Sequence, residues 1–168
     1  MNPANRLEAI EDIRQLKARY FRLGDSKDWD AWAQLFTVDA LFDASETNIV
    51  GDMPTSATEL PDSPLNEPIR GIDAILAACK AFVPPSSVSV HHGYMPEIEI
   101  VSDDEARGTW AMSDRISWPD GAPGSSPDRV LVEMTGHGHY FETYRRVDGA
   151  WRIARMKITR QRLDLTYR

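Results

Sequence analysis

The chain has 168 residues, 42% hydrophobic and 9% aromatic, which is enough for one folded domain with its own core and argues against disorder. Its net charge of −7, without any run of Lys or Arg, disfavours nucleic acid as a partner. The single cysteine, Cys79, cannot form an internal disulfide and is typical of a reducing compartment. No signal-peptide pattern or apolar stretch of membrane-spanning length occurs, so we expect a cytoplasmic protein without a membrane partner.

The N-terminal quarter of the chain predicts two helices. Apolar residues recur at helical spacing from about residue 6 to residue 23, and Gly24 ends this first helix. A shorter second helix begins within the sequence DSKDWD. Its N-cap could be Asp25, Ser26 or Asp28, because each side chain can accept a hydrogen bond from a free backbone amide.

The next part of the chain predicts a short strand, a long loop and a third helix. Residues 40–42 are typical of a strand, and the pattern at 71–82 predicts a helix. Residues 45–69 are rich in Pro, Ser, Thr and acids and lack periodicity. A loop of that length is usually either a functional lid or disordered.

The second half of the chain predicts extended structure. Four strands are expected, separated by the turn SDDE, a loop at 119–128 and an Asp-Gly hairpin turn: VSVHHGYMPEIEIV, ARGTWAMSDRISW, RVLVEMTGHGHYFETYRRV and WRIARMKITRQRLDL. Helices followed by a long antiparallel meander predict an α+β fold, with residues 1–168 as a single domain.

The four histidines are the first candidates for chemistry. His91 and His92 are neighbours on a strand, so only one of them can face the interior, whereas His137 and His139 share a face. Nothing in the sequence supplies three convergent metal ligands, so the favoured interpretation of His137 and His139 is a surface or packing role. No phosphate-binding loop, HExxH motif or cysteine-based zinc spacing occurs, so no cofactor and no metal are expected.

Four further polar residues allow both a structural and a functional interpretation. Asp25 is either a helix cap or the carboxylate that orients a catalytic His91, and Tyr20 at helical spacing is by default a core aromatic residue. Asp114 lies on a strand face that is otherwise apolar, where a carboxylate is costly without a partner or a role. Arg160 on the last strand is either solvated or the partner of that acid.

Four segments together carry a resemblance to a known family: LKARYFRLGDSKDWDAW, HHGYMPEIEI, GTWAMSDRISW and YFETYRRVDGAWRI. They resemble the SnoaL-like branch of the nuclear-transport-factor-2-like superfamily, and most of all its bile acid 7α-dehydratases and scytalone dehydratases. The likeness covers nearly the whole chain and is weakest at 45–69. It implies a cone-shaped, curved antiparallel sheet wrapped around N-terminal helices, an apolar pocket, no cofactor, and a homodimer or homotrimer.

The resemblance also implies site residues. The catalytic tyrosine, aspartate and histidine of the bile acid dehydratases fall on Tyr20, Asp25 and His91, the second acid falls on Asp114, and the arginine of the last strand falls on Arg160. The scytalone dehydratase pattern agrees at DSKDWD and His91. Its substrate-binding tyrosines fall instead on Gly24 and Ala44, its second histidine on Ile116 and its asparagine on Glu142. Scytalone is therefore a disfavoured substrate.

These residues lead to a functional hypothesis. We expect a cofactor-independent dehydratase acting on a small, apolar, cyclic substrate, steroid-like or aromatic, that carries hydroxyl and carbonyl groups. In it, His91 oriented by Asp25 removes a proton, and Tyr20 binds the carbonyl. Protonated His91 or Asp114 assists the leaving hydroxyl, and Arg160 could bind a carboxylate or enolate. The pocket would be lined by Trp110, Met112, Ile116, Met156 and Ile158. An isomerase or cyclase with the same dyad, and a non-catalytic binding protein on the same fold, remain alternatives.

Overall fold

The computed structural model describes residues 2–47, 65 and 67–168. Helices precede most of the sheet, and the elements in chain order are α1 (Pro3–Asp25), α2 (Trp29–Ala33), β1 (Phe36–Glu46), β2 (Ile69–Arg70), α3 (Ile72–Phe82), β3 (Val88–Ile100), β4 (Glu105–Ser117), β5 (Leu131–Val147) and β6 (Ala150–Tyr167). The predicted α+β fold with N-terminal helices is confirmed. No helix within the described residues is long and apolar enough to cross a membrane.

The six strands form one curved sheet in the order β2-β1-β6-β5-β4-β3. The strands β3 to β6 form the predicted antiparallel meander, but β1 runs parallel to β6, so the sheet is mixed rather than purely antiparallel. The two edge strands β2 and β3 do not pair with each other, and the sheet therefore stays open. A register shift between His137 and Gly138 interrupts the pairing of β5 with β6, and such bulges bend a strand.

Element boundaries differ from the sequence expectation mainly at their ends. Helix α1 extends from Pro3 through Gly24 to Asp25, with Asn2 as its N-cap, because the Asn2 side chain accepts a hydrogen bond from the Asn5 amide. The strand expected at 40–42 is longer, because pairing with β6 extends it to Phe36–Glu46. The expected loop or lid at 45–69 therefore starts later. Residues 48–64 and 66 of it lie outside the described residues.

The core fills the space between the helices and the inner face of the sheet. The apolar face of α1, including Ile13 and Leu16, packs against inward-facing residues of β4, β5 and β6. A second, smaller cluster lies around Trp118 and includes Val83 at the end of α3 and Leu163 on β6. Along β4, burial alternates as predicted, and the buried residues include Trp110, Met112, Asp114 and Ile116. Strand periodicity therefore placed Asp114 correctly in the interior.

Candidate functional site

A short turn at the end of α1 positions Asp25. Lys27 has a left-handed backbone (φ 57°), and Asp28 caps α2 by accepting a hydrogen bond from the Ala31 amide at 3.3 Å. The Lys27 ammonium donates to the Ser87 carbonyl at 2.7 Å, which ties the turn to the chain just before β3. Asp25 is consequently not the cap of α2, and its carboxylate faces β3.

Asp25 makes three hydrogen bonds to β3, and one joins it to the His91 ring. Its Oδ1 lies 2.6 Å from His91 Nδ1 and accepts from Ser89 Oγ at 3.0 Å, while Oδ2 accepts from the His91 amide at 2.9 Å. An ionised carboxylate can only accept, so Nδ1 carries the proton in this bond. The neutral ring is therefore held as the Nδ1–H tautomer, which leaves Nε2 unprotonated. Both side chains are largely covered, with 20% of His91 and 25% of Asp25 exposed.

A buried ion pair joins β4 to β6. The guanidinium of Arg160 donates to both oxygens of Asp114, at 2.7 and 2.6 Å, and each side chain is 5% exposed. Burial by itself lowers the pKa of Arg160, but the charge and hydrogen bonds of Asp114 outweigh it, so the pKa lies above its usual value. Arg160 is therefore the partner of the acid rather than a solvated residue.

The pair can form because β5, which separates the two strands, has a glycine at the crossing point. Gly136 is the register partner of Asp114. A Cβ atom on Gly136 would lie 1.8 Å from Arg160 Nη1 and 2.6 Å from Asp114 Oδ1, closer than non-bonded atoms approach. The first glycine of the sequence GHGH therefore makes room for the ion pair.

A second buried ion pair joins α1 to β5. Lys17 of α1 contacts Glu142 of β5, and both side chains are 0% exposed. The other oxygen of Glu142 accepts from the Tyr144 hydroxyl, which in turn accepts from the Trp110 indole at 2.8 Å. Burial lowers the pKa of Lys17 to about 8, although the neighbouring Glu142 carboxylate opposes that shift.

Lys17 also lies against the rings of two tyrosines that face the cavity. Its ammonium is 3.5 Å from the ring centroid of Tyr140 and 4.2 Å from that of Tyr20. Burial raises the pKa of both tyrosine hydroxyls well above the ordinary value. The two phenols accordingly stay protonated across the neutral pH range and can act as hydrogen-bond donors.

A cavity of about 160 Å³ opens beside the Asp25–His91 dyad. Its polar wall contains Tyr20, Ser89, His91, Asp114, Tyr140 and Arg160. The rest of its lining is mostly apolar and includes Trp29, Trp32, Trp118, Phe42 and Phe82. A cavity with aromatic walls and a few convergent polar groups has the properties of a small-molecule site.

Of the five apolar lining residues predicted from the sequence, Ile116 and Ile158 line this cavity. Trp110, Met112 and Met156 are instead buried in the main core. Trp110 is held there by its hydrogen bond to Tyr144, and the sulfur of Met112 packs against Arg160 at 3.9 Å. Strand alternation predicts which face a residue occupies, but it does not predict where along that face the core ends and the cavity begins.

Several residues at the site were not signalled by any motif. Ser89 shares the inner face of β3 with His91, two positions away, and this spacing is the signal that could have found it. The wall residues Trp118 and Tyr140 carry no such signal. His137 is exposed and His139 half-buried on the outer face. Among the described residues, no group of three or more His, Cys, Asp or Glu side chains is placed to hold a metal ion.

Comparison with known proteins agrees with this architecture. Residues 5–157 match the family model of the SnoaL-like domain. The fold is similar to that of a scytalone dehydratase-like protein from Novosphingobium aromaticivorans (TM-score 0.69, 18% identity, 97% of this chain and 91% of that one). It is also similar to that of the hexachlorocyclohexane dehydrochlorinase LinA-type3 from Novosphingobium barchaimii (TM-score 0.71, 16% identity, 98% of this chain and 94% of that one). A third similar structure is that of Rv3472, a protein of unknown function from Mycobacterium tuberculosis, with a TM-score of 0.67 and 23% sequence identity. The alignment covers 96% of this chain and 78% of that one.

Proposed function

Because the chain belongs to the SnoaL-like family, we propose that it is a cofactor-independent lyase that removes water from a cyclic substrate with a carbonyl beside the reacting carbon. The observation that carries the proposal is the Asp25–His91 hydrogen bond at the edge of a mostly apolar cavity. Names of structural neighbours, a scytalone dehydratase-like protein and a dehydrochlorinase, are consistent with elimination chemistry.

In this mechanism His91 is both base and acid. Asp25 accepts the Nδ1 proton and fixes the ring, so Nε2 is the nitrogen left to remove a proton from the carbon next to the carbonyl. The electrons of the broken C–H bond form the new double bond as the C–O bond of the hydroxyl group breaks. The proton on Nε2 then joins the departing oxygen, which leaves as water and restores neutral His91.

The carbonyl oxygen gains negative charge as the proton leaves, and the tyrosines are placed to stabilise it. Tyr20 and Tyr140 line the cavity and are hydrogen-bonded to each other, and their raised pKa values keep both hydroxyls protonated.

Asp114 has a different role from the acid considered in the sequence analysis. Both of its oxygens accept hydrogen bonds from Arg160, so it has no proton to give to a leaving group. We propose that Asp114 and Arg160 shape the cavity wall, and that His91 alone moves protons.

The test uses 3-hydroxycyclohexanone, a small probe with a hydroxyl two carbons from a carbonyl. Formation of cyclohex-2-enone, with loss of one water, supports a dehydratase. Conversion of cyclohex-3-enone to cyclohex-2-enone, at unchanged mass and without dehydration of the hydroxyketone, supports the isomerase alternative. Asp25→Asn and His91→Ala should each lower the rate roughly 10²–10⁴-fold. His92→Ala is the matched control, since His92 is exposed on the opposite face. Equal rates in all variants would contradict the mechanism.

We also propose that the chain forms a homo-oligomer through the outer face of the sheet. Val88, Val90 and Phe141 are exposed on that face, at 58%, 43% and 44%. Light scattering of the purified chain measures the state, and a monomer at all concentrations would contradict this proposal.

A further inference from the structure

The charges at the cavity are balanced internally. Among the described residues that line it, Asp114 and Arg160 are the side chains of opposite fixed charge, and they neutralise each other through two short hydrogen bonds. The nearest buried cation behind the tyrosine wall, Lys17, is likewise paired with Glu142. The described lining of the cavity therefore presents no uncompensated positive charge to a ligand.

The ion pair cannot easily release Arg160 to a ligand. An arginine that turned to bind a substrate carboxylate would leave the Asp114 carboxylate buried without a partner, which is strongly unfavourable. Gly136 gives the pair its space, and the packing of Arg160 against Met112 holds the guanidinium from a further side. A ligand carboxylate in this cavity would also lie near the ionised Asp25.

The size of the cavity is a second observation. A volume of about 160 Å³ is similar to that of an apolar protein cavity that binds one benzene ring, so the described part of the cavity has room for a single ring. The tryptophans Trp29, Trp32 and Trp118 in its wall suit the faces and edges of a flat or nearly flat ring.

We infer that the cavity selects uncharged single-ring compounds and rejects carboxylates, and that the Asp114–Arg160 pair is the device that sets this charge selectivity. The inference rests on the proposed function, because it narrows the substrate class of the same site. It replaces the expectation that Arg160 binds a substrate carboxylate.

The experiment compares two probes of nearly the same shape, benzamide and benzoate, by calorimetric titration at about pH 7.5, where benzoate is ionised. The wild-type chain should bind benzamide at least about tenfold more tightly than benzoate, a difference of about 1.4 kcal/mol. Asp114→Asn removes the counter-charge of Arg160 and should reverse that order. The double variant Asp114→Leu/Arg160→Met has neither charge and should again prefer benzamide, which controls for the change in cavity shape.

Two results overturn the inference. Benzoate that binds the wild type as tightly as benzamide shows that Arg160 does recruit anions, and failure of both probes to bind at millimolar concentrations shows that the cavity does not take a single ring. The wild-type comparison tests the selectivity itself even if Asp114→Asn fails to fold, and a folded Asp114→Asn that still prefers benzamide shows that the ion pair does not set it. If the chain prefers benzamide but releases no water from 3-hydroxycyclohexanone, this inference stands and the proposed function is rejected. If it dehydrates 3-hydroxycyclohexanone but binds benzoate as tightly as benzamide, the proposed function stands and this inference is rejected.

Discussion

Replacing Lys17 by Met should destabilise the fold far more than replacing an exposed cation in a comparable ion pair. Lys17 and Glu142 are both 0% exposed, so the substitution leaves a carboxylate in the core without its counter-charge. Breaking a buried pair in this way costs about 3–5 kcal/mol, a large share of the roughly 5–15 kcal/mol by which a domain is stable. Tyr144 still donates to Glu142, which keeps the loss near the lower end of that range.

The assay is urea unfolding followed by circular dichroism at about pH 6.5, where Lys17 is protonated because its pKa is about 8. The double variant Lys17→Met/Glu142→Gln removes both charges and keeps an acceptor for Tyr144, so it should recover at least half of the loss. Arg115→Met is the matched control. Arg115 is 63% exposed and bonded to Glu133 at 2.7 Å, and its removal should cost at most about 1 kcal/mol. A loss below about 1 kcal/mol for Lys17→Met, or no recovery in the double variant, would refute the reasoning.

Two further substitutions test the packing and the alkaline behaviour. Gly138→Ala should lower the free energy of unfolding by at least about 2 kcal/mol in the same urea assay, because its Cβ would lie 1.9 Å from the backbone oxygen of Thr159; a loss below about 0.5 kcal/mol would show that this contact relaxes freely. Burial raises the pKa of the Cys79 thiol from 9.0 to about 12, so above pH 9 the unfolded chain loses a proton that the folded chain keeps, and stability falls as pH rises towards 12. Between pH 9 and 10.5 the free energy of unfolding should therefore fall with pH less steeply in Cys79→Ala than in the wild type, by up to about 1.4 kcal/mol per pH unit. Equal pH dependence in the two proteins would contradict the raised pKa of Cys79.

Periodicity and capping rules predicted the parts of the molecule that depend on neighbours in sequence. The 3.6-residue repeat located α1, and strand alternation placed Asp114 on the inner face and allowed only one of His91 and His92 to lie there. The three N-cap candidates in DSKDWD, Asp25, Ser26 and Asp28, could not be separated by those rules, because each has a side chain that can cap a helix. The fold separates them, since Asp28 takes the cap and Asp25 faces a strand 66 positions later.

The features that escaped prediction depend on contacts between distant segments. Lys17 stands four residues after Ile13 on the apolar face of α1, but its partner Glu142 lies 125 positions away, and no local pattern links them. The histidines of GHGH were the candidates for chemistry in the sequence. The structure shows that the glycine before them, Gly136, gives Asp114 and Arg160 the space to meet across β5. The parallel pairing of β1 with β6 likewise joins the first and last strands in chain order, and the sequence of neither strand indicates it.

The state of the His91 ring tests the central claim most directly, and ¹⁵N NMR of histidine-labelled protein measures it without a substrate. At a pH where the ring is neutral, we expect Nδ1 to carry the proton and Nε2 to be unprotonated, because the Asp25 carboxylate, 2.6 Å away, can only accept a hydrogen bond. Asp25→Asn should disturb this preference, and His92, exposed on the other face, serves as the internal reference. A wild-type His91 with its proton on Nε2 would leave no base facing the cavity and would contradict the proposed mechanism.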